Sequence, residues 1–402
     1  MYLEQRRNSI LDYLDQHESL SVAWLAAAFA VSKETIRSDL AALAGLGMIQ
    51  RCHGGAMVIR RNLQAKLISE TGGNFEVLLQ RLESQRQRSA PRDSTQTQGR
   101  VCILGSFNVD IVAKVARFPK GGESLLALGS TLGPGGKGAN QAMAASRAGA
   151  RVHFVSKVGT DQFSQFAFDH LSASDIHSFR LYQSDVEPTG NAIIYVSQQD
   201  GENMIAIYSG ANKTLTDAEV AEMTHELAGS DVLLVQLENN FSATLNAMKL
   251  ATTLGVRVIM NPAPFSADAL ACLQYVDVLT PNETEASLLS GVEVNDLDSA
   301  KEAALAIVRQ GAKRVIITMS SRGALILENG QFQHIAAFPA LSVDTTGAGD
   351  AFNGAFAAAL AKGQTIAQAA TYAAAFASLA VEREGASNMP DHPQVVARLA
   401  QH

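Results

Sequence analysis

Residues 342–356 read SVDTTGAGDAFNGAF. Gly347 and Gly349 flank Ala348, Asp350 follows at once, and an alanine-rich helical pattern then begins. The first turn of a helix leaves its N–H groups without intrahelical partners, so Gly347, Ala348 and Gly349 form an expected anion site. Negative charge developing on a migrating phosphoryl group is stabilised in such a place. A carboxylate beside it is suited to accept the proton of an attacking hydroxyl. The competing reading makes Asp350 a helix cap and the glycines a packing need. The stretch alone leaves both open.

Upstream of it, apolar runs recur: VCILGSF, VHFVSKVG, DVLLVQLE, VRVIMNPAP, VDVLTPN, RVIITMSS and ALILENG. Helix-length segments at 137–149, 162–173, 241–254 and 298–311 separate several of them. Alternating apolar strands and helices predict a buried, mostly parallel sheet with helices on both faces. NAIIYVSQ and NMIAIYSG, joined by QQDGE, predict a hairpin in a small accessory sheet.

Two further segments combine glycines with polar side chains. In GPGGKGANQAMAA (133–145) the backbone is free to approach a ligand closely, with Lys137 and Asn140 as donors and a helix after them. The spacing is not that of a P-loop, and a purely structural turn is the alternative. In LTPNETEASLL (279–289), Asn282 and Glu285 lie one turn apart and are placed to face a hydrated cation. Equally, they make an ordinary helix start, with Asn282 as cap and the acids favouring the dipole.

The chain of 402 residues has room for one large domain and a small one. Its 47% hydrophobic and 18% charged residues describe a globular protein and exclude a disordered or fibrous one. No apolar run is long enough to cross a bilayer, and MYLEQRRNSILDYLDQHESL lacks the apolar stretch of a signal peptide. Cys52, Cys102 and Cys272 follow no metal or disulfide spacing, which predicts a reducing, cytoplasmic location. Net charge is -7, and the excess of acid lies beyond residue 100, where 29 acidic side chains face 19 basic ones. A polyanion is repelled by that part and tolerated by the front.

The front has its own pattern. Leu3, Ile10, Leu11 and Leu14 predict a helix over 3–17, Ser21 caps a second through Phe29, and Ser32 opens a third that ends near Ala44. RCHGGAMVIRR then predicts a hairpin. Three helices and a hairpin make a winged helix-turn-helix, whose second paired helix enters the major groove. Val31, Ile36, Leu40 and Leu43 face inward, leaving Ser32, Lys33, Thr35, Arg37 and Ser38 for bases and phosphates. Arg51, His53, Arg60 and Arg61 add phosphate contacts from the wing. A protein-association module is the plainer alternative. Residues 62–82 have a loose helical pattern broken by Thr71-Gly72-Gly73, and with the polar ESQRQRSAPRDSTQTQGR after it residues 62–100 read as a linker between a domain at 1–61 and another at 101–402.

VSKETIRSDLAAL and the RCHGGA wing resemble the N-terminal domain of the DeoR family of bacterial repressors, although Ser38 replaces a second basic residue common there. GSFNVD, GPGGKGANQAMAA, GENMIAIYSGAN, VQLE, NPAP, PNETEA, TMSSRGA and VDTTGAGDAFNGAF resemble, in order, the ribokinase-like (PfkB) carbohydrate kinases. That resemblance implies an α/β sandwich with a small β lid over the sugar, paired as a homodimer.

It also implies roles for named residues. Asn108, Asp110, Gly136, Lys137, Asn140 and Glu238 hold the sugar, Asp350 is the base, and Gly347, Ala348 and Gly349 form the anion hole. ATP lies along Thr318, Met319, Ser320, Ser321, Arg322, Gly323 and Gly349, with Asn282 on its phosphates. Asn282 and Glu285 organise Mg2+ through water, and Asp344, Thr346, Ala380, Arg383 and Gly385 surround K+. Met389 stands where such kinases often have serine, which puts the usual potassium dependence in question. The implied activity is ATP-dependent phosphorylation of a pentose, D-ribose to ribose 5-phosphate, joined to a transcriptional regulator that binds double-stranded operator DNA. Deoxyribose, another pentose or a nucleoside, and a repressor that only senses sugar through a weakly active kinase fold, remain the alternatives.

Overall fold

A computed structural model describes residues 6–7, 9–11, 13–14, 19–45, 49–52, 55–58, 75–88, 99–199 and 201–401. They divide into two compact units, one ending at Asn74 and also including Phe168–Ser174, the other holding the remainder.

In the front unit, Arg6, Arg7, Ile10, Leu11 and Leu14 are helical. Strand β1 (Ser19–Ser21) leads into α1 (Val22–Ala28), where the Ser21 hydroxyl caps the Trp24 N–H. Helix α2 spans Lys33–Gly45, and β2 (Ile49–Cys52) and β3 (Gly55–Val58) form the wing, with β1 as a third antiparallel strand beside β3. Ile10, Leu14, Leu25, Ile36, Leu40, Leu43 and Ile49 make the core, with Val31 packed against it. The expected inward face of the third helix is therefore the buried one. Asp39 is also buried and receives the guanidinium groups of Arg6 (2.6 Å) and Arg7 (3.0 Å). This pins the first helix to α2 by charge as well as by packing.

The large unit begins with α3 (Phe75–Arg88), followed by β4 (Arg100–Leu104), β5 (Asn108–Val115), β6 (Gly129–Gly135), α4 (Lys137–Arg147), β7 (Arg151–Val158) and α5 (Gln162–Ala173), of which only the part before Phe168 is grouped with this unit. Next come β8 (Ser178–Gln183), β9 (Asn191–Ser197), β10 (Asn203–Tyr208), α6 (Asp217–Glu222), β11 (Val232–Val235), α7 (Phe241–Leu254), β12 (Arg257–Met260), β13 (Val278–Leu279), α8 (Glu283–Ser290) and α9 (Leu297–Arg309). The chain ends with β14 (Val315–Thr318), β15 (Ala324–Glu328), β16 (Gln331–Ile335), α10 (Ala348–Ala361), α11 (Ile366–Ala380) and α12 (His392–Leu399).

The main sheet runs β16-β15-β14-β13-β12-β11-β4-β7-β8. It is parallel from β14 to β8, while β15 and β16 add an antiparallel edge. The expected hairpin is β9 and β10, and it belongs to a separate four-stranded sheet, β10-β9-β5-β6. Strand β6 escapes the sequence pattern because GSTLGPG is glycine-rich and has little β propensity, while β5, NVDIVAKV, is strand-like and begins just past the run VCILGSF.

The linker expectation needs correction over Phe75–Arg88. Those residues are α3, and Phe75, Leu78 and Leu79 are buried where the helix lies against α6 and α7. Glu76 meets Lys249 at 3.1 Å. The polarity that suggested a connector belongs to the outer side of an amphipathic helix, where Gln80, Arg81, Glu83 and Ser84 are exposed. Leu78→Ala should lower the stability of the large unit by about 2–4 kcal/mol through lost burial and a residual cavity. Chemical denaturation of the full chain reads this as a lower midpoint for that unit's transition.

Candidate functional site

The parallel strands bring polar residues together at their carboxyl ends. Gly105 and Ser106 follow β4, Gln236 and Glu238 follow β11, Asn261 follows β12, and Thr280 and Asn282 follow β13. Ligands of open α/β sheets bind at this edge. The N-termini of α4 and α10 meet there too. Gly354 allows that approach, because a Cβ on it would stand 2.4 Å from the Gln141 carbonyl oxygen and 2.6 Å from the Ala144 Cβ.

Asp350 is buried at the start of α10, 5% exposed. Gly347 is the N-cap in the left-handed region, φ 77°, and a Cβ on it would press on Ala386. The Asp350 carboxylate accepts one bond from Asn140 Nδ2 (3.1 Å) and one from Gln141 Nε2 (3.0 Å). Gln141 Nε2 also donates to Asn261 Oδ1 (3.1 Å), and Gln141 Oε1 accepts from Gln236 Nε2 (2.5 Å). Asn353, one turn into α10, bonds the Gly349 carbonyl and Thr280. A row of amides therefore orients the acid from behind.

Lys137 opens α4, and its backbone N–H donates to Glu238 (3.0 Å). The Asp350 carboxylate holds the Lys137 ammonium above the usual lysine range, burial opposes this, and Glu238 and Glu285 add to it. Asp110 on β5 has its carboxyl pushed from 3.8 up to about 6, first by burial and then by Glu238. Glu238 also accepts from the Ser106 hydroxyl. Asn108 is buried, with its Oδ1 accepting from Asn212 Nδ2 (2.9 Å), while Asn212 also brackets the Phe107 backbone. Gly135, Gly136 and Gly190 leave room here, since a Cβ on any of them would collide with Asp110, the Asn108 backbone or the Asn108 amide.

Asn108, Asp110, Gly136, Lys137, Asn140, Glu238 and Asp350 are thus linked through one another at one end of the sheet. Ser106, Gln141, Asn212, Gln236, Asn261 and Ser387 join them without having been singled out in the sequence. A usable signal existed for two of these: Gln236 and Asn261 each follow directly on a fully apolar run, VLLV and VIM.

Asn282 and Glu285 form a reciprocal capping box on α8, Glu285 N–H to Asn282 Oδ1 (2.8 Å) and Asn282 N–H to Glu285 Oε2 (2.9 Å). The capping reading is thus realised, and it leaves Asn282 Nδ2 and Glu285 Oε1 outside the box. Burial pushes the Glu285 carboxyl up, against the Asn282 bond and Lys137. Asn282 pairs with Thr318 in a parallel bridge, which sets α8 beside the turn after β14. In that turn Ser320 and Ser321 are exposed, Met319 is buried, Arg322 pairs with Glu283, and Gly323 has φ 87°. Among the described residues, no group of three or more His, Cys, Asp or Glu is arranged to hold a metal.

Asp344 accepts N–H bonds from Thr346 (2.9 Å) and Gly385 (3.0 Å). Burial pushes its carboxyl up, but these bonds outweigh burial and leave it below the usual range. The Ala380 carbonyl takes the Arg383 N–H, and the Arg383 guanidinium binds the carbonyl of buried Met389.

On the front unit, Lys33, Arg37 and Ser38 are exposed on α2. Ser32 and Thr35 are partly committed, because the Ser32 hydroxyl accepts from the Thr35 N–H and bonds its hydroxyl. They form the helix cap, a role the outward reading of both side chains leaves out. Arg37 lies 3.0 Å from Glu34 in a solvent-exposed pair, which a phosphate can displace at little cost. The Arg51 side chain, His53, Arg60 and Arg61 lie outside the described residues.

Residues 98–393 match the family model described as pfkB family carbohydrate kinase, and residues 6–62 match the DeoR-like helix-turn-helix domain. The chain is 38% identical over 298 residues to the ribokinase of Haemophilus influenzae, spanning 74% of this chain and 97% of that one. It is 33% identical over 288 residues to the deoxyribokinase of Salmonella typhi, spanning 71% and 93%. The solved Arabidopsis thaliana ribokinase, complexed with ribose and ATP, aligns with TM-score 0.67 at 30% identity over 74% of this chain and 98% of that one.

Keeping Asp110 ionised while buried costs stability. Its folded-state carboxyl titrates near 6 and its unfolded one near 3.8, so the penalty is absent below the lower value and complete above the higher. Asp110→Asn should therefore stabilise the protein at pH 7 by about 3 kcal/mol, a gain that fades as pH falls from 6 to 4. Denaturation at the two ends of that window measures it.

Proposed function

The chain belongs to the pfkB family of carbohydrate kinases and carries a DeoR-like helix-turn-helix domain, and from that premise we propose that it phosphorylates the primary hydroxyl of D-ribose and binds operator DNA. The observation that carries the catalytic half is a buried Asp350 at the N-terminus of α10, its carboxylate held by Asn140 and Gln141.

In this reading the sugar lies among Asn108, Asp110, Gly136, Lys137, Asn140 and Glu238. Asn108 Oδ1 is taken by Asn212, so Asn108 offers its N–H groups, as Asn140 and Lys137 do, whereas Asp110 and Glu238 offer acceptors. A ligand that both donates and accepts at neighbouring positions satisfies this set, as vicinal hydroxyls do. Leaving one buried partner unpaired costs about 1–3 kcal/mol, which favours ribose over 2-deoxyribose. Asp350 takes the proton from the attacking hydroxyl, and the Gly347, Ala348 and Gly349 amides stabilise the charge on the moving phosphoryl group. A Cβ built on Gly349 meets nothing within 4 Å, in keeping with open space above those amides.

ATP, the phosphoryl donor, runs along the Thr318–Gly323 turn and Gly349. Asn282 Nδ2 would face its phosphates, and Asn282 with Glu285 would hold Mg2+ through water. An acid beside a capped helix start, with no protein cage among the described residues, suits a metal carried mainly by phosphate. Bound there, Mg2+ neutralises phosphate charge. Asp344 with the Thr346, Ala380, Arg383 and Gly385 carbonyls would hold K+, the lowered Asp344 carboxyl supplying charge. Met389 supplies no hydroxyl there.

Two protomers pair through the β5-β6-β9-β10 sheet. Ile111, Leu132, Ile193, Tyr195 and Met204 share one face by register, and Leu132 (56%), Ile193 (48%) and Met204 (55%) are heavily exposed, which marks an interaction surface. A two-fold pair presents two heads, each reading DNA with α2.

ADP release from ATP with ribose, 2-deoxyribose, hexoses and nucleosides tests the substrate, with ribose expected to be preferred at least about tenfold over deoxyribose. Asp350→Ala should cut turnover by about 10²–10⁴-fold and leave sugar affinity nearly unchanged. A fully active variant removes Asp350 from the base role. Arg37→Ala should weaken operator binding about tenfold, reduce its salt dependence and leave the kinase rate untouched. Unchanged DNA affinity in a titration would reassign the recognition helix.

A further inference from the structure

We propose that Ser387, in the loop between α11 and α12, is a positioning residue for Asp350 and acts through Asn140. The proposal rests on the reading of Asp350 as the base. Asn140 is 5% exposed, and its carboxamide is used at both ends: Nδ2 donates to Asp350 Oδ2 (3.1 Å), and Oδ1 accepts from the Ser387 hydroxyl (2.9 Å). The Pro134 carbonyl lies within 3.2 Å of the same hydroxyl. A hydroxyl has one proton to give, and the shorter contact is the one to Asn140.

The segment that carries Ser387 is itself built against the start of α10. The Gly385 N–H donates to Asp344, and a Cβ on Gly347 would stand 2.9 Å from the Ala386 backbone. The Ser387 carbonyl accepts from the Met389 N–H at 3.0 Å, which fixes the turn. Three consecutive residues thus abut Asp344, the Gly347 helix cap and the Asn140 amide that holds Asp350. The loop reaches Asn140 from the side opposite Asp350, so the carboxamide is clamped between them.

Without the hydroxyl, Asn140 Oδ1 is a buried acceptor lacking this donor. An unsatisfied buried group is costly, and the side chain relieves that cost by rotating toward another donor. Rotation withdraws Nδ2 from Asp350, and the carboxylate keeps only Gln141. The base then samples orientations that do not face the attacking hydroxyl, which lowers kcat. ATP binding is unaffected, because none of these atoms belongs to the turn after β14.

Steady-state kinetics and melting of Ser387→Ala and Ser387→Thr, with Asp350→Ala alongside, test this. Ser387→Ala should lower kcat about five- to tenfold with KM for ATP and the melting temperature unchanged, and Ser387→Thr, which keeps the hydroxyl, should recover most of the rate. Wild-type kcat in Ser387→Ala beside an inactive Asp350→Ala overturns the role of Ser387 alone. Loss of rate and stability together, with no recovery in Ser387→Thr, overturns it as well and assigns the hydroxyl to loop integrity. An active Asp350→Ala removes the base reading on which the proposal depends.

Discussion

Two side-chain amides on one carboxylate organise the large unit. Asn140 and Gln141 are adjacent on α4, Asp350 is near the start of α10, and about two hundred residues separate them in sequence. Their meeting requires α4 and α10 to pack more closely than two ordinary helices do. Gly354 permits that, and the alanines of both helices extend it. Gln141 then reaches Asn261 and Gln236 at the ends of two parallel strands, so the helix pair is registered on the sheet through the same amide. A carboxylate buried without these donors would be unstable. The acid and the layer packing thus impose one geometry.

The site concentrates negative charge that the fold does not need. Asp110, Glu238, Glu285 and Asp350 all act electrostatically on one another or on Lys137. Lys137 is the cation they share, which is why its ammonium is held so firmly protonated. The Asp110 carboxyl is displaced up to about 6, because burial and Glu238 act in the same direction. Replacing such a cluster with well-packed apolar side chains of similar volume would be neutral or stabilising for the fold.

Much of this was legible in the sequence. Alternating apolar runs and helices predict the parallel sheet because fully buried strands carry no polar alternation. The α10 stretch announces itself through glycines before an acid. Strand β6 was not legible, since the glycines and proline of GSTLGPG contradict strand propensity, whereas β5 carries Val109, Ile111, Val112 and Val115 and was missed only because the apolar run before it was read as ending at Phe107. Ser387 gave no signal, because a serine in a polar loop acquires meaning only from the distant amide that it meets. The front unit was read well in its core and less well in its cap, where Ser32 and Thr35 serve the helix before any partner.

Helix α3 changes how the two functions are joined. A loose helical pattern over 62–82 and the polar stretch after it read as a flexible connector over residues 62–100. Fourteen of those residues instead form a helix seated on α6 and α7. Helix α7 follows β11 through Gln236, Leu237, Glu238, Asn239 and Asn240, the segment that carries two site residues. Lys213 of the 3-10 turn after β10 binds the Leu237 and Asn239 carbonyls, which ties that segment to the lid side as well. A ligand that shifts Glu238 therefore acts one short segment away from the helix that bears α3. The seating of this segment thus rests on the docking free energy of a single amphipathic helix, whose buried apolar residues are Phe75, Leu78 and Leu79.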